Sequence, residues 1–196
     1  MLAVGQFDRA VAEGKRALEL DPLSVIITAD LGADYLVARR YDEAIEQFHK
    51  AIDLDARFYY AHWNLAEALE MKGNLREALA EYKKAVELDD DPFVLALLGQ
   101  AYAKLGQRDE ALKILAQLPQ IEAHRYVPAY SYALLYMALG DKDKAIESLE
   151  RSYREGAGLD VIFLKVDPML DPFQKEPRFQ ALVAKVFARS SITPAQ

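Results

Sequence analysis

Histidine is the side chain best suited to proton transfer or metal binding near neutral pH, and the chain has three: His49, His62 and His124. No two share a helical face at a metal-ligand spacing, and there is no HExxH. They read as ordinary surface or half-buried histidines. Cysteine is absent, which excludes disulfides, a thiol nucleophile and Cys-ligated zinc together. Asp89, Asp90 and Asp91 form the sharpest charge run. Three carboxylates attract cations, but the ligand spacing of an EF-hand is missing, and the run stands before Pro92, where Asp caps a helix. Gly156 and Gly158 lie in REGAGLD, which is neither GxxxxGK(S/T) nor GxGxxG in context; there is no GxSxG. No catalytic residue, metal site or cofactor is therefore expected, and the chain reads as a non-enzyme.

The aromatic residues carry more information, but what they do depends on the elements that hold them. Of 196 residues, 52% are apolar and 28% charged, a soluble, globular composition. The net charge of -7 would repel a phosphate backbone, so no nucleic-acid partner is expected. The start, MLAVGQFDRAVAEGK, has neither the basic opening nor the apolar stretch of a signal peptide. No run approaches the ~18 apolar residues of a membrane span. A cytoplasmic location without membrane contact is the expectation.

Three segments align: FDRAVAEGKRALELD from Phe7, YDEAIEQFHKAIDLD from Tyr41 and LREALAEYKKAVELD from Leu75, 34 residues apart each time. Helical segments such as ADLGADYLVA and WNLAEALEMKG precede two of them. The unit is helix, tight turn, helix. With places numbered so that the pairs Leu31-Gly32, Leu65-Ala66 and Leu98-Gly99 fall at 7 and 8, place 20 is Ala10, Ala44, Ala78, Ala111 and Ala145. Small residues at 8 and 20 let the paired helices approach where they cross. Place 15 ends the first helix in a left-handed turn, held by Gly5, Gly73, Gly106 and Gly140 at no steric cost. Arg39 stands there in the second unit, a departure that costs about 1 kcal/mol.

This pattern resembles the tetratricopeptide repeat over roughly residues 1–155. The resemblance implies an all-α, right-handed α-α superhelix. About five helix pairs, the first incomplete, occupy 1–159. An irregular segment and a C-terminal capping helix follow over 160–196 in the same domain. PRFQALVAKVFAR, at 177–189, carries one apolar stripe as a solenoid cap requires. Pro119 is expected to cut the second helix of the fourth pair, and Gly14 to weaken packing in the first. The last 70 or so residues resemble the closing segment of repeat regions in bacterial signalling proteins. That implies the C-terminal module of a larger bacterial regulatory protein. Counted back from Gly5, most of the first unit's first helix is missing, so either the chain is a fragment of a longer one or something else covers that face.

In this repeat class, places 2, 5, 9, 12 and 13 of the first helices face a concave groove. The resemblance thus implies a protein- or peptide-binding surface with Tyr60, Trp63, Phe93 and Tyr130 as anchors. Asn64, Leu97 and Leu134 add to the groove, and Glu67 and Glu70 set its charge preference. The ligand is expected to be an apolar segment with basic flanks. Family members that grip a terminal carboxylate use basic and amide groups where this chain has Asp30, Ala33, Phe93 and Leu97; only Asn64 fits, so that mode is rejected. The alternative is a structural role, with a homodimer formed through apolar surface around Leu2, Val4, Phe7 and Val11.

Overall fold

The computed structural model describes residues 6–156 and 164–189. Helices account for its regular structure, and there is no strand among the described residues. They are α1 (Phe7–Leu20), α2 (Val25–Val37), α3 (Tyr41–Leu54), α4 (Tyr59–Met71), α5 (Leu75–Leu88), α6 (Pro92–Lys104), α7 (Arg108–Glu122), α8 (Ala129–Ala138) and α9 (Lys142–Glu155). A short 3-10 helix (Pro168–Phe173) and α10 (Pro177–Arg189) follow. Consecutive helices pack as neighbours, α2 on α3, α4 on α5, α6 on α7 and α8 on α9, and α6 also meets α8. The result is a stack of helix pairs around one continuous apolar core.

Among the described residues, the second to fifth pairs are closed by the same turn. The residue at place 15 has a positive φ: 61° at Arg39, 85° at Gly73, 77° at Gly106 and 83° at Gly140. The next amide then donates to a carbonyl five residues back, as in Arg40 to Tyr35 and Asn74 to Leu69, both 2.9 Å. This is the Schellman arrangement, which satisfies carbonyls that a helix end leaves orphaned. Where the helices cross, Ala44, Ala78, Ala111 and Ala145 are fully buried. At Gly32 an added Cβ would lie 2.5 Å from a ring carbon of Phe48, so the ring packs directly on the α2 backbone.

The chemistry-bearing residues of the sequence have structural work. Asp91 caps α6 by accepting from the Phe93 amide at 2.8 Å, with Pro92 at the first helical position. Asp89 accepts from the Asp91 amide, and Asp90 from Arg125. His62 is buried, with Nδ1 2.7 Å from Glu81 and Nε2 3.1 Å from the Ala56 carbonyl; both partners are acceptors, so both bonds form when both nitrogens carry hydrogen. His49 and His124 are exposed. Gly156, at φ 66°, ends α9 in the left-handed conformation; Gly158, like Gly5, Leu2 and Val4, lies outside the described residues.

Three expectations change. Pro119 does not cut the fourth pair's second helix: α7 runs on to Glu122. The proline forfeits the bond its amide would make to the Leu115 carbonyl, but only the last three residues of the helix lie beyond it. Gly14 is a close approach rather than a gap, since a Cβ there would come within 3.0 Å of the Asp34 carboxylate and 3.1 Å of Leu31. Val11 is buried, and the large exposed apolar residues near that end are instead Leu20, Leu23 and Ile26.

The C-terminal segment does more than close the stack. Phe179, Leu182 and Val186 of α10 are buried, and Arg178 reaches Asp143 and Glu150 of α9. Leu164, Met169, Leu170 and Phe173 are also buried in the same core as the repeats.

Candidate interaction surface on the concave face

α4, α6 and α8 carry a ladder of rings. Tyr60 and Trp63 meet edge to face with centroids 5.4 Å apart, and Trp63 meets Phe93 the same way at 5.5 Å. Phe93 stacks on Tyr130 at 6.1 Å, and Phe58 adds to the other end, 5.7 Å from Tyr60. Places 2 and 5 lie one turn apart on the same helix face, so successive units bring their aromatics together. Tyr60, Trp63 and Phe93 are partly exposed; Tyr130 is buried. Edge-to-face contacts hold the rings in place while leaving surface for another molecule.

Carboxylates border the ladder. Burial raises the pKa values of Asp30 and Asp34, with the Asp30 charge adding to the effect on Asp34. The Tyr60 hydroxyl, hydrogen-bonded to Asp30, is pushed far above the usual phenol range, chiefly by burial. Glu67 is raised well above the carboxylate range by burial first, then by the charges of Asp167 and Glu70, against a partial offset from Lys104. Glu70 is buried and already committed: it is ion-paired with Lys104 and lies 3.4 Å from both Tyr82 Oη and Gln100 Nε2.

The nine residues expected to line the groove thus separate. Tyr60, Trp63, Glu67 and Phe93 keep exposed surface. Leu97 and Leu134 are wholly buried core residues, because places 6 and 9 of these units point between neighbouring helices and not into solvent. Asn64 is buried with its amide donating to the Tyr60 carbonyl at 2.8 Å, which fixes the ladder's backbone instead of facing a ligand. Glu70 and Tyr130 are buried and engaged within the chain.

Tyr130 is engaged by the C-terminal segment. Its hydroxyl donates to Asp167, which also caps the 3-10 helix by accepting from the Met169 amide at 2.8 Å. Four residues on, Asp171 receives two parallel hydrogen bonds from Arg39, each 2.7 Å. One short segment therefore bridges α8 and the α2–α3 turn. The repeat pattern does not show Arg39, Asp167 or Asp171 as partners. The signals were Arg39 in a glycine position and the doubled Asp-Pro of VDPMLDPF.

Profiles of the tetratricopeptide repeat match residues 29–93, 72–131 and 129–154. No curated protein matches by sequence. Among solved structures, MamA is 25% identical over 78% of this chain and 90% of its own, with a TM-score of 0.55. TTC0263, a thermophilic protein of the same repeat class from Thermus thermophilus, is 22% identical over 95% and 93%, with a TM-score of 0.64. YrrB, described as having an unusual peptide-binding site, is 25% identical over 83% and 84%, with a TM-score of 0.51. Together the profile matches run from residue 29 to residue 154, over the units that show the 34-residue period, and the chain belongs to the tetratricopeptide-repeat family.

Proposed function

We propose that the chain is a non-catalytic scaffold that binds a protein segment on its concave face, through Tyr60, Trp63 and Phe93. The observation that carries this reading is the half-exposed ladder of rings locked edge to face. Rigid aromatic surface costs little entropy to bury and is typical of binding hot spots. The bordering Asp30, Asp34 and Glu67 favour an apolar segment with basic side chains over an acidic one. The peptide-binding site of YrrB and the interaction role general to this repeat family support the same reading. No helix among the described residues is long and apolar enough to cross a membrane.

Trp63 is the chain's one tryptophan, so its emission reports on the ladder directly. A Leu/Phe-rich peptide bearing lysines is expected to shift that emission, and its glutamate counterpart is not. Tyr60→Ala and Phe93→Ala each weaken binding by roughly tenfold or more with little change in melting temperature. A loss of ~3 kcal/mol of stability in either variant would make these rings core residues and end the reading.

A second reading, self-association, draws on the exposed Leu20, Leu23 and Ile26, which are 83%, 78% and 58% accessible around the α1–α2 turn. Light scattering over a concentration series, with Leu23→Asp as the control, decides it: a monomer throughout removes this alternative.

A further inference from the structure

The segment from Leu164 to Glu176 is not a loose tail. Its apolar residues are buried with the repeats, and it is tied at its middle by Asp171 to Arg39 and at its end by Glu176 to Lys142, at 2.7 Å. Arg39 holds a left-handed backbone that glycine holds in the later turns. The side chain that this position gains is used on Asp171. The segment therefore forms a fixed wall of the concave face, and it brings Asp167 close enough to Glu67 that, after burial, Asp167 has the largest influence on that carboxyl.

That junction has acceptors in excess. Glu67 and Asp167 face Lys104, which is already paired with Glu70. Gln100, one turn before Lys104 on α6, is wholly buried; its amide nitrogen meets Glu70, while its carbonyl oxygen has no partner. Buried acceptors without donors are rare and costly. Glu67 keeps exposed surface beside the ladder, so a cation can reach this place from the ladder side without moving the wall.

Building on the peptide-binding reading above, we propose that the binding surface is composite: the ladder is one wall, the docked 164–176 segment is the other, and Glu67 with Asp167 at their junction receives one Lys or Arg side chain of the bound segment. The cation supplies the charge and donors that the junction lacks. Arg39 acts as a positioning residue, since it holds the second wall in place. Binding and docking of the C-terminal segment then strengthen each other, as linkage requires when a ligand contacts only the docked form.

The test uses the full chain and two short synthetic Leu/Phe-rich peptides that differ at one central position, Lys in one and norleucine in the other. Titrations followed by Trp63 emission at pH 7 are expected to give the Lys peptide roughly tenfold or more tighter binding, as a charge-assisted contact gives. Asp167→Asn, Glu67→Gln and Arg39→Gly each bring the two affinities towards equality and leave the norleucine peptide bound through the ladder. Arg39→Gly keeps the turn, because glycine holds the same turn in the later units. Hydrogen exchange over 164–176 slows when the Lys peptide binds. Equal affinities in the unaltered chain, a preference that survives Asp167→Asn, or faster exchange over 164–176 on binding would each overturn the composite site. The last would mean that the segment is displaced. If the norleucine peptide also leaves Trp63 unmoved, the peptide-binding reading falls with it; if that peptide binds and the Lys preference is missing, only the composite site falls.

Discussion

Arg39 is where a backbone cost and a side-chain gain can be measured separately. At φ 61° a residue with a Cβ loses about 1 kcal/mol relative to glycine. Against this stands a bidentate pair with Asp171, whose partners are 48% and 47% exposed. Pairs so open to water contribute about 0–1 kcal/mol, towards the upper end for two-point Arg–carboxylate geometry. Three substitutions separate the terms. Arg39→Ala keeps the strain and loses the pair, so it is less stable than the parent by about 0.5–1 kcal/mol. Arg39→Gly loses the pair but relaxes the turn, and returns about 0.5–1 kcal/mol relative to the Ala variant after the greater freedom of unfolded glycine is counted. Asp171→Asn completes the cycle with Arg39→Ala, and the coupling between them is about 0.5–1 kcal/mol. Urea melts measure these differences, and 1 kcal/mol also appears as about 2–4 °C in melting temperature for a chain of this size. Coupling within error of zero would show that the pair contributes nothing. A Gly variant no more stable than the Ala variant would show that the turn is unstrained. Either result would remove the physical reason offered for an arginine at this place.

Three further outcomes are expected. Gly32→Ala places a Cβ 2.5 Å from the Phe48 ring, an overlap that costs about 1–3 kcal/mol and is read as a fall in melting temperature; an unchanged melt would mean that the α2–α3 crossing has slack. Burial and neighbouring carboxylates raise Glu67 and Asp167 in the folded chain, so folding takes up protons, and stability falls as pH rises from the ordinary carboxyl range near ~4 through the raised values. Glu67→Gln is therefore expected to melt higher than the parent at pH 7 and to converge with it near pH ~4; a variant less stable at pH 7 would show that the carboxylate is well compensated. Deleting 177–196 removes Phe179, Leu182 and Val186 from burial, about 1.5–3 kcal/mol each, against a total stability of about 5–15 kcal/mol; aggregation or a large drop in melting temperature follows, and a stable monomer would show that α10 is dispensable.

The repeat was legible because its determinants are local and recur. Ala44, Ala78 and Ala111 mark helix crossings wherever they stand, and Gly73, Gly106 and Gly140 mark turns by a backbone requirement that no distant contact alters. Tyr60, Trp63 and Phe93 came together because each unit repeats the geometry of the last. Leu97, Leu134 and Asn64 were harder to place. The repeat frame puts them near the groove, but whether a side chain there meets solvent or a neighbouring helix depends on curvature, and curvature is a sum over units. The Arg39–Asp171 contact spans 132 positions, and no period announces it. What the sequence did contain was a residue that broke the rule for its place. A local rule broken without local compensation points to a compensation elsewhere in the fold, and Arg39 had that form.

That contact also changes what kind of object the stack is. A repeat array is nearly one-dimensional: each unit meets its neighbours, stability adds along the chain, and ends fray independently of the middle. The 164–176 segment ties the α2–α3 turn to the last pair through Arg39, Asp171, Tyr130 and Asp167, and its buried side chains join the core of the repeats. Releasing the segment from either place therefore breaks contacts that a plain repeat array does not have. The closure also reaches the ladder, because Tyr130, which stacks on Phe93, donates to Asp167 of the same segment. A groove whose curvature is fixed before a partner arrives gives up less conformational freedom on binding. In this chain, therefore, the residues that close the stack and the rings proposed to face a partner are linked through Tyr130 and Asp167.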